Sequence, residues 1–263
     1  MPKGKKVYDR LARAESAKEK QQRVKIKRSE EYDYLEGVFD RPTLLALYKL
    51  LNDGVLTGLG GCISTGKESK VYYAKGKGGR ELAVKIYTTG NLEFRKSISK
   101  YIIGDPRFRS VRRDNIGIIL TWAQKESVNL RTLFDLRLKV PEPVALRRNA
   151  LVMNFIGKNG DRAPLLREAV LDDPEEIYLD LIDFIRTAYS RGEIVHGDLS
   201  EYNVMIHEGE AYVIDVSQGI SVKHPLAEKL LVRDVSRVND YFSREGVKVI
   251  SQEEVLSSLH RGG

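Results

Sequence analysis

The chain has 263 residues, 41% hydrophobic and 31% charged, enough for one large domain or two lobes with a real core. Its single cysteine, Cys62, excludes an internal disulfide and a cysteine-based metal site. No apolar run reaches the roughly 18 residues of a membrane helix and no signal-peptide pattern opens the chain, so a cytoplasmic location is expected.

The net charge of +7 is uneven. Residues 1–30 carry eleven Lys or Arg against four Asp or Glu, and the remainder is balanced. Such an arm either binds nucleic acid through its phosphates or is a solvated terminus. Tyr8 is its one aromatic residue, so base stacking is not indicated.

In "DRPTLLALYKLLNDG", Asp40 and Pro42 are expected to start a helix with Leu44, Leu47, Tyr48 and Leu51 on one face, ended by Asn52-Asp53-Gly54. A glycine cluster follows at 58–61 and 66. In "GCISTGKES", Gly61, Gly66 and Lys67 stand where a Walker loop needs them, but Glu68 replaces the hydroxyl that would bind Mg²⁺. A Walker loop also runs into a helix. Here "VYYA", "KGKGGR" and "ELAVKIY" read as strand, turn and strand. Protein kinases cover nucleotide phosphates in that order. The amides of Ser64, Thr65, Gly66, Lys67, Glu68 and Ser69 can then face phosphates. A chance cluster of glycines is the alternative. Cys62 is expected to pack under this loop.

"LAVKIY" is similar to the kinase V-A-I-K strand, whose lysine contacts the α- and β-phosphates; Lys85 is the candidate. Val84 and Ile86 face the other side by alternation. Residues 88–115 read as partly helical with a mobile loop near Gly104-Asp105-Pro106. Ile119, Trp122, Leu130 and Leu133 then share a helix face with Glu126, the best partner for Lys85, with Glu93 as fallback. "PVALRRNALVMNFIG" reads as two strands around Arg148-Asn149. Met153 is expected behind an adenine pocket, with Asn154 to Ile156 as a hinge whose backbone groups are free for the base. Asp173 and Pro174 start the clearest helix, with Ile177, Leu181 and Ile185 buried and Gly192 past its end.

In "EIVHGDLSEYNVMIHEGEAYVIDVSQGI", Asp198 and Asn203 have the spacing of the kinase catalytic loop, and Asp215 ends the next strand pair. One carboxylate must orient the attacking hydroxyl, while another and an amide hold Mg²⁺. Lys85, Asp198 and Asp215 are therefore the catalytic candidates, and Asn203 and Asp215 the metal ligands. The four histidines lack metal-ligand spacing, and His196 is expected to be structural.

From about residue 40 onward the chain resembles the RIO family of atypical protein kinases, Rio1 subfamily. The resemblance rests on "STGKES" with Val71-Tyr72, "LAVKIY", "HGDLSEYNV" and "IDVSQ" with His224-Pro225. It implies an α+β, two-lobed kinase-like fold of the trimmed RIO type, with a β-rich N-lobe and a mainly helical C-lobe. The expected division is an arm and helical extension over 1–60, N-lobe and hinge over 61–156, and C-lobe over 157–263. It also implies a serine/threonine kinase using ATP and Mg²⁺ (or Mn²⁺), and a role in small ribosomal subunit maturation, with pre-ribosomal particles and rRNA as partners.

Two departures from ordinary kinases stand out. Gly197 replaces the usual arginine after His196, and no A-P-E triplet follows Asp215. Two mechanisms stay open: transfer assisted by Asp198 to a serine, including one of the chain itself, or ATP hydrolysis with Asp215 transiently phosphorylated. A pseudokinase scaffold and a small-molecule kinase are the rival readings.

Overall fold

A computed structural model describes residues 39–89, 92–108 and 114–260. The basic arm of residues 1–30 lies outside the described residues. The chain divides into two compact units between Tyr48 and Lys49. In the first, Asp40 Oδ1 accepts the Thr43 N–H at 2.8 Å and opens helix α1 (Arg41–Asn52).

The second unit contains a five-stranded antiparallel sheet. Its strands are β1 (Gly58–Thr65), β2 (Ser69–Lys75), β3 (Glu81–Tyr87), β4 (Pro143–Arg147) and β5 (Ala150–Asn154), in the order β1-β2-β3-β5-β4. "ELAVKIY" takes the central place because its β-branched and aromatic residues suit a strand covered on both faces. Leu82 through Tyr87 are all buried, Lys85 included. Gly58, Gly60 and Gly61 belong to β1 itself, and the loop toward β2 is only the turn Gly66–Glu68, closed by the Gly66 N–H on the Ser69 carbonyl at 2.9 Å. Cys62 does not pack under that turn. It is exposed on β1, its thiol 3.3 Å from the Ser64 carbonyl.

Helix α2 (Leu92–Ile102) leads to the segment read as a mobile loop. The described part of it is anchored instead. Asp105 is buried, binds the Arg107 guanidinium at 2.7 and 2.9 Å, and accepts the Ser221 N–H at 3.3 Å. Helix α3 (Asn115–Asp135) is capped by Asp114, which accepts the Gly117 N–H at 2.6 Å. Ile119, Trp122, Glu126, Leu130 and Leu133 are buried along it, as the periodicity predicts.

Beyond the sheet the structure is mainly helical. After the short ladder β6 (Gly157–Lys158) and β7 (Asp161–Arg162) comes helix α4 (Pro174–Ser190), capped by Asp173. Strand β8 (Ile194–Val195) pairs with β11 (Ile220–Ser221), and between them β9 (Val204–His207) and β10 (Glu210–Val213) form a hairpin. Helices α5 (Ala227–Arg244) and α6 (Gln252–His260) close the described chain. Tyr178, Leu181, Ile185, Val235 and Phe242 form part of the core under this half. Among the described residues, no helix is long and apolar enough to cross a membrane.

Helix α5 fixes the backbone before the β9–β10 hairpin. Asp234 is buried, and its carboxylate accepts the N–H groups of Gly197 at 2.6 Å and Leu199 at 3.0 Å. Burial pushes this carboxyl up to about 7, against the two N–H groups and Arg233, which favour the ion. The folded chain therefore holds a proton between the usual 3.8 and about 7 that the unfolded chain releases. This group's contribution to stability falls as pH rises through that window. Asp234→Asn cannot ionise, so its stability relative to the native chain is expected to rise by about 1–3 kcal/mol from pH 5 to 7.5. Unfolding midpoints of both proteins over that range check this; a pH-independent difference would refute it.

Candidate active site

Lys85 is 5% exposed, yet it is an ammonium group. Its Nζ lies 2.9 Å from a Glu126 oxygen and 2.7 Å from Asp215 Oδ1. Sheet, helix α3 and the segment after β10 therefore meet at one cation. Burial alone would pull the lysine down, but the charges of Asp215 and Glu126 outweigh it and hold Lys85 protonated. Burial raises Glu126, with Lys85 acting against it. Asp215 is also opposed by burial, but Lys85 lowers it below the usual carboxylate range. Glu93, the fallback partner, is exposed on α2.

Asp215 sits in the left-handed region, φ 54°, where the chain turns sharply out of the hairpin. The Ser217 hydroxyl donates to its Oδ1 at 2.7 Å. The following turn, Val216–Gln218, is held by α3. Buried Lys125 donates to the carbonyls of Ser217 and Gly219, and Asn129 Nδ2 donates to those of Val216 and Gly219, each at 2.8 Å. Burial, with Arg107 nearby, drives the Lys125 amine well below the usual lysine range.

The loop between β8 and β9 brings Asp198 and Asn203 to the same place. Asn203 Nδ2 donates to the Asp198 carbonyl at 2.8 Å, and the Asn203 carbonyl accepts the Ile214 N–H at 2.9 Å, beside Asp215. Asp198 Oδ1 receives Arg237 at 2.7 Å and Oδ2 receives Gln218 at 3.0 Å. His196 is buried under the loop. Its Nδ1 accepts the Asp198 N–H at 3.2 Å, and burial lowers its pKa against the charges of Asp198 and Asp215. This is the structural place expected of it. Among the described residues no cluster of three or more His, Cys, Asp or Glu could hold a metal.

A cleft of about 460 Å³ runs between the sheet and the helical half. Ser64, Gly66, Lys67, Glu68 and Ser69 form its lid, and Lys85, Glu126, Asn203 and Asp215 its polar end. Val71, Ala83, Met153, Ile156, Met205 and Ile214 give it an apolar slot. Burial, then the Asp215 charge, raises the Glu68 carboxyl.

One expected binding residue stands differently. Thr65 does not line the cleft; its hydroxyl lies 3.4 Å from the exposed Cys62 sulfur. Asn154, Phe155 and Ile156 line the cleft, with part of their backbone already bonded within the protein. The N–H groups of Asn154 and Phe155 go to Glu142 and Glu81, and the Ile156 carbonyl accepts Ala163. The Asn154 side chain faces Arg80 and Glu142.

Asp198 borders a second cavity of about 440 Å³, which shares Tyr202 and Asn203 with the first. Sequence reasoning missed its Arg237 wall, and also Asp234, Lys125 and Asn129. A charged residue on an amphipathic helix reads as solvated until something is seen opposite it. Gln218 did carry a signal, as the end of "IDVSQ".

Residues 70–255 match the RIO domain family. The chain is 40% identical to the RIO-type serine/threonine-protein kinase Rio1 of Haloferax volcanii, covering 90% of this chain and 81% of that protein. It is 42% identical to human serine/threonine-protein kinase RIO1 over 84% of this chain, but spans only 40% of that longer protein. Among solved structures it is similar to the Rio2 kinase–ADP/Mg²⁺–phosphoaspartate complex of Chaetomium thermophilum, with a TM-score of 0.64 and 25% identity, over 81% of this chain and 65% of that one. The chain belongs to the RIO family, among the Rio1-type serine/threonine-protein kinases.

Proposed function

We propose that this cleft binds Mg²⁺–ATP and that Asp198 assists transfer of the γ-phosphoryl group to a serine hydroxyl. The observation that carries this reading is the buried Lys85, held 2.7 Å from Asp215 and 2.9 Å from Glu126 at the end of an apolar slot. A buried ammonium with two carboxylates is costly to assemble unless the site has work for it. Lys85 anchors the α- and β-phosphates, and the amides of the Gly66–Glu68 turn face them. Among the described residues both bonds to Asp215 fall on Oδ1, so Oδ2, with the Asn203 side chain, suits a hard divalent cation. Mg²⁺ there, or Mn²⁺ in its place, would neutralise phosphate charge. As the acceptor oxygen bonds to the γ-phosphorus and the bridging P–O bond breaks, Asp198 takes the hydroxyl proton and ADP departs.

A second reading has one supporting observation: the similar Rio2 structure is described as a phosphoaspartate complex. In this reading an Asp215 oxygen attacks the γ-phosphorus, ADP leaves, and water later cleaves the acyl phosphate to free phosphate and the carboxylate. After brief reaction with γ-labelled ATP, a label on Asp215 would be released by hydroxylamine, whereas one on a serine of the chain itself would survive acid. An acid-stable label alone would remove the second reading.

We further propose a cytoplasmic role in maturation of the small ribosomal subunit, with the basic arm contacting rRNA. The family resemblance and the charge of residues 1–30 support it. Deleting that arm is expected to weaken rRNA binding and flatten its salt dependence, because lost phosphate contacts release fewer counterions. ATP turnover without RNA is expected to persist. An unchanged salt slope in filter-binding assays would count against the arm.

The roles of the site residues separate by titration calorimetry with Mg²⁺ and a non-hydrolysable ATP analogue, alongside turnover. Asp215→Ala is expected to lose both binding and turnover, and Asn203→Ala to do so more weakly. Asp198→Ala is expected to keep affinity within about threefold while turnover falls by roughly 10²–10⁴. Lys85→Ala is expected to lose turnover and some stability, since Glu126 is left buried without its cation. Equal loss of affinity in Asp198→Ala and Asp215→Ala would contradict this division.

A further inference from the structure

The loop that carries Asp198 has no cation of its own. The protein-kinase signature places an arginine just before the catalytic aspartate; here Gly197 occupies that position, at φ +79°. No side chain fits there without displacement. A Cβ on Gly197 would stand 3.1 Å from Leu230 Cδ1 and 3.4 Å from the Gln218 carbonyl oxygen. Two residues past Asp198 the loop carries Ser200.

Helix α5 brings positive charge to the loop instead. Arg233 donates to the Gly197 carbonyl, and one turn further Arg237 Nη1 reaches Asp198 Oδ1 at 2.7 Å. Asp234 between them takes the N–H groups of Gly197 and Leu199. One face of one helix thus engages the backbone and the side chain of the loop together.

The Asp198 carboxylate is oriented from both sides. Arg237 holds Oδ1, and Gln218, three residues past Asp215, holds Oδ2 at 3.0 Å. The Arg237 and Asp198 side chains are only 41% and 31% exposed, and both border the 440 Å³ cavity beside the nucleotide cleft. An acceptor hydroxyl approaching Asp198 from that cavity meets a carboxylate with its orientation already set. A partly exposed Arg–Asp pair adds little to folding stability, so orientation is the effect the geometry can deliver.

We propose that Arg237, supplied by helix α5, is the positioning residue for Asp198. This rests on the reading of Asp198 as the proton acceptor. Arg237 sets the carboxylate for the acceptor hydroxyl and offsets its charge as phosphate arrives. Its contribution falls on the chemical step and not on nucleotide affinity.

The test uses the full chain and single-turnover conversion of γ-labelled ATP to ADP, with affinity for fluorescent ADP and melting midpoint measured in parallel. Arg237→Ala is expected to slow conversion roughly 100-fold, with affinity changed less than threefold. Arg237→Lys, which keeps charge and reach, is expected to recover at least tenfold of that loss; Arg237→Gln, which keeps length without charge, is not. In an Asp198→Ala background, Arg237→Ala is expected to add less than a threefold further loss, because the two act as one unit. Four outcomes overturn the proposal: Arg237→Ala within twofold of native while Asp198→Ala is inactive; multiplicative loss in the double variant; loss of nucleotide affinity in all three Arg237 variants; or no recovery with lysine. Native turnover in Asp198→Ala would instead remove the reading of Asp198 itself.

Discussion

The structure depends on one buried cation. Lys85 lies inside the protein on the central strand, and an ammonium in that place is tolerated only beside carboxylates. Glu126 comes from helix α3 and Asp215 from the end of the β9–β10 hairpin, so the pairing requires three parts of the chain to be in place together. Removing one partner from a fully buried pair costs about 3–5 kcal/mol. The Asp215 side chain is 41% exposed, which lowers its share and leaves it open to the cleft.

A second buried lysine stands next to the first pair in sequence. Glu126 faces Lys85, while Lys125 faces the carbonyls of the turn that follows Asp215. Adjacent residues on a helix point about 100° apart, so α3 grips the sheet with one side chain and the helical half with the other. Asn129, one turn on from Lys125, adds two more bonds to the same turn. The position of Asp215 is therefore tied to the helix that also supplies the partner of Lys85.

The loop that carries Asp198 is fastened from behind by a different helix. Asp234 and Arg233 of α5 take its backbone, while the Asn203 side chain closes it on the Asp198 carbonyl. Only the turn Val216–Gln218 and the short strand β11 precede the residues leading into α5. The segment after Asp215 is thus brief, and α5 lies directly against the loop. The absence of an A-P-E triplet and the glycine before Asp198 belong to the same arrangement.

Much of this was readable in the order of residues. β-branched and aromatic content placed β2, β3, β4 and β5, because those preferences are local. Asp173-Pro174 fixed the start of α4 through an orphan N–H and a preset φ. The order of glycine turn, Lys85, Asp198, Asn203 and Asp215 pointed to phosphoryl transfer because each chemical role requires a particular residue type. Other features depended on what stands opposite a residue. Glu126 and Glu93 were both glutamates on helices near Lys85; only packing buried one and exposed the other. Cys62 lies exposed because β1 is an edge strand, and the N–H groups of Asn154 and Phe155 are engaged because the Glu142 and Glu81 carbonyls lie across from them. Lys125, Asp234 and Arg237 look like solvated helix positions in one dimension. The sequence by itself determined the elements and the chemical inventory, since propensity, capping and functional group are properties of a residue and its neighbours. The tertiary structure alone decided which charges are buried, paired and aimed at Asp198 and Asp215, because desolvation and pairing depend on groups far away along the chain.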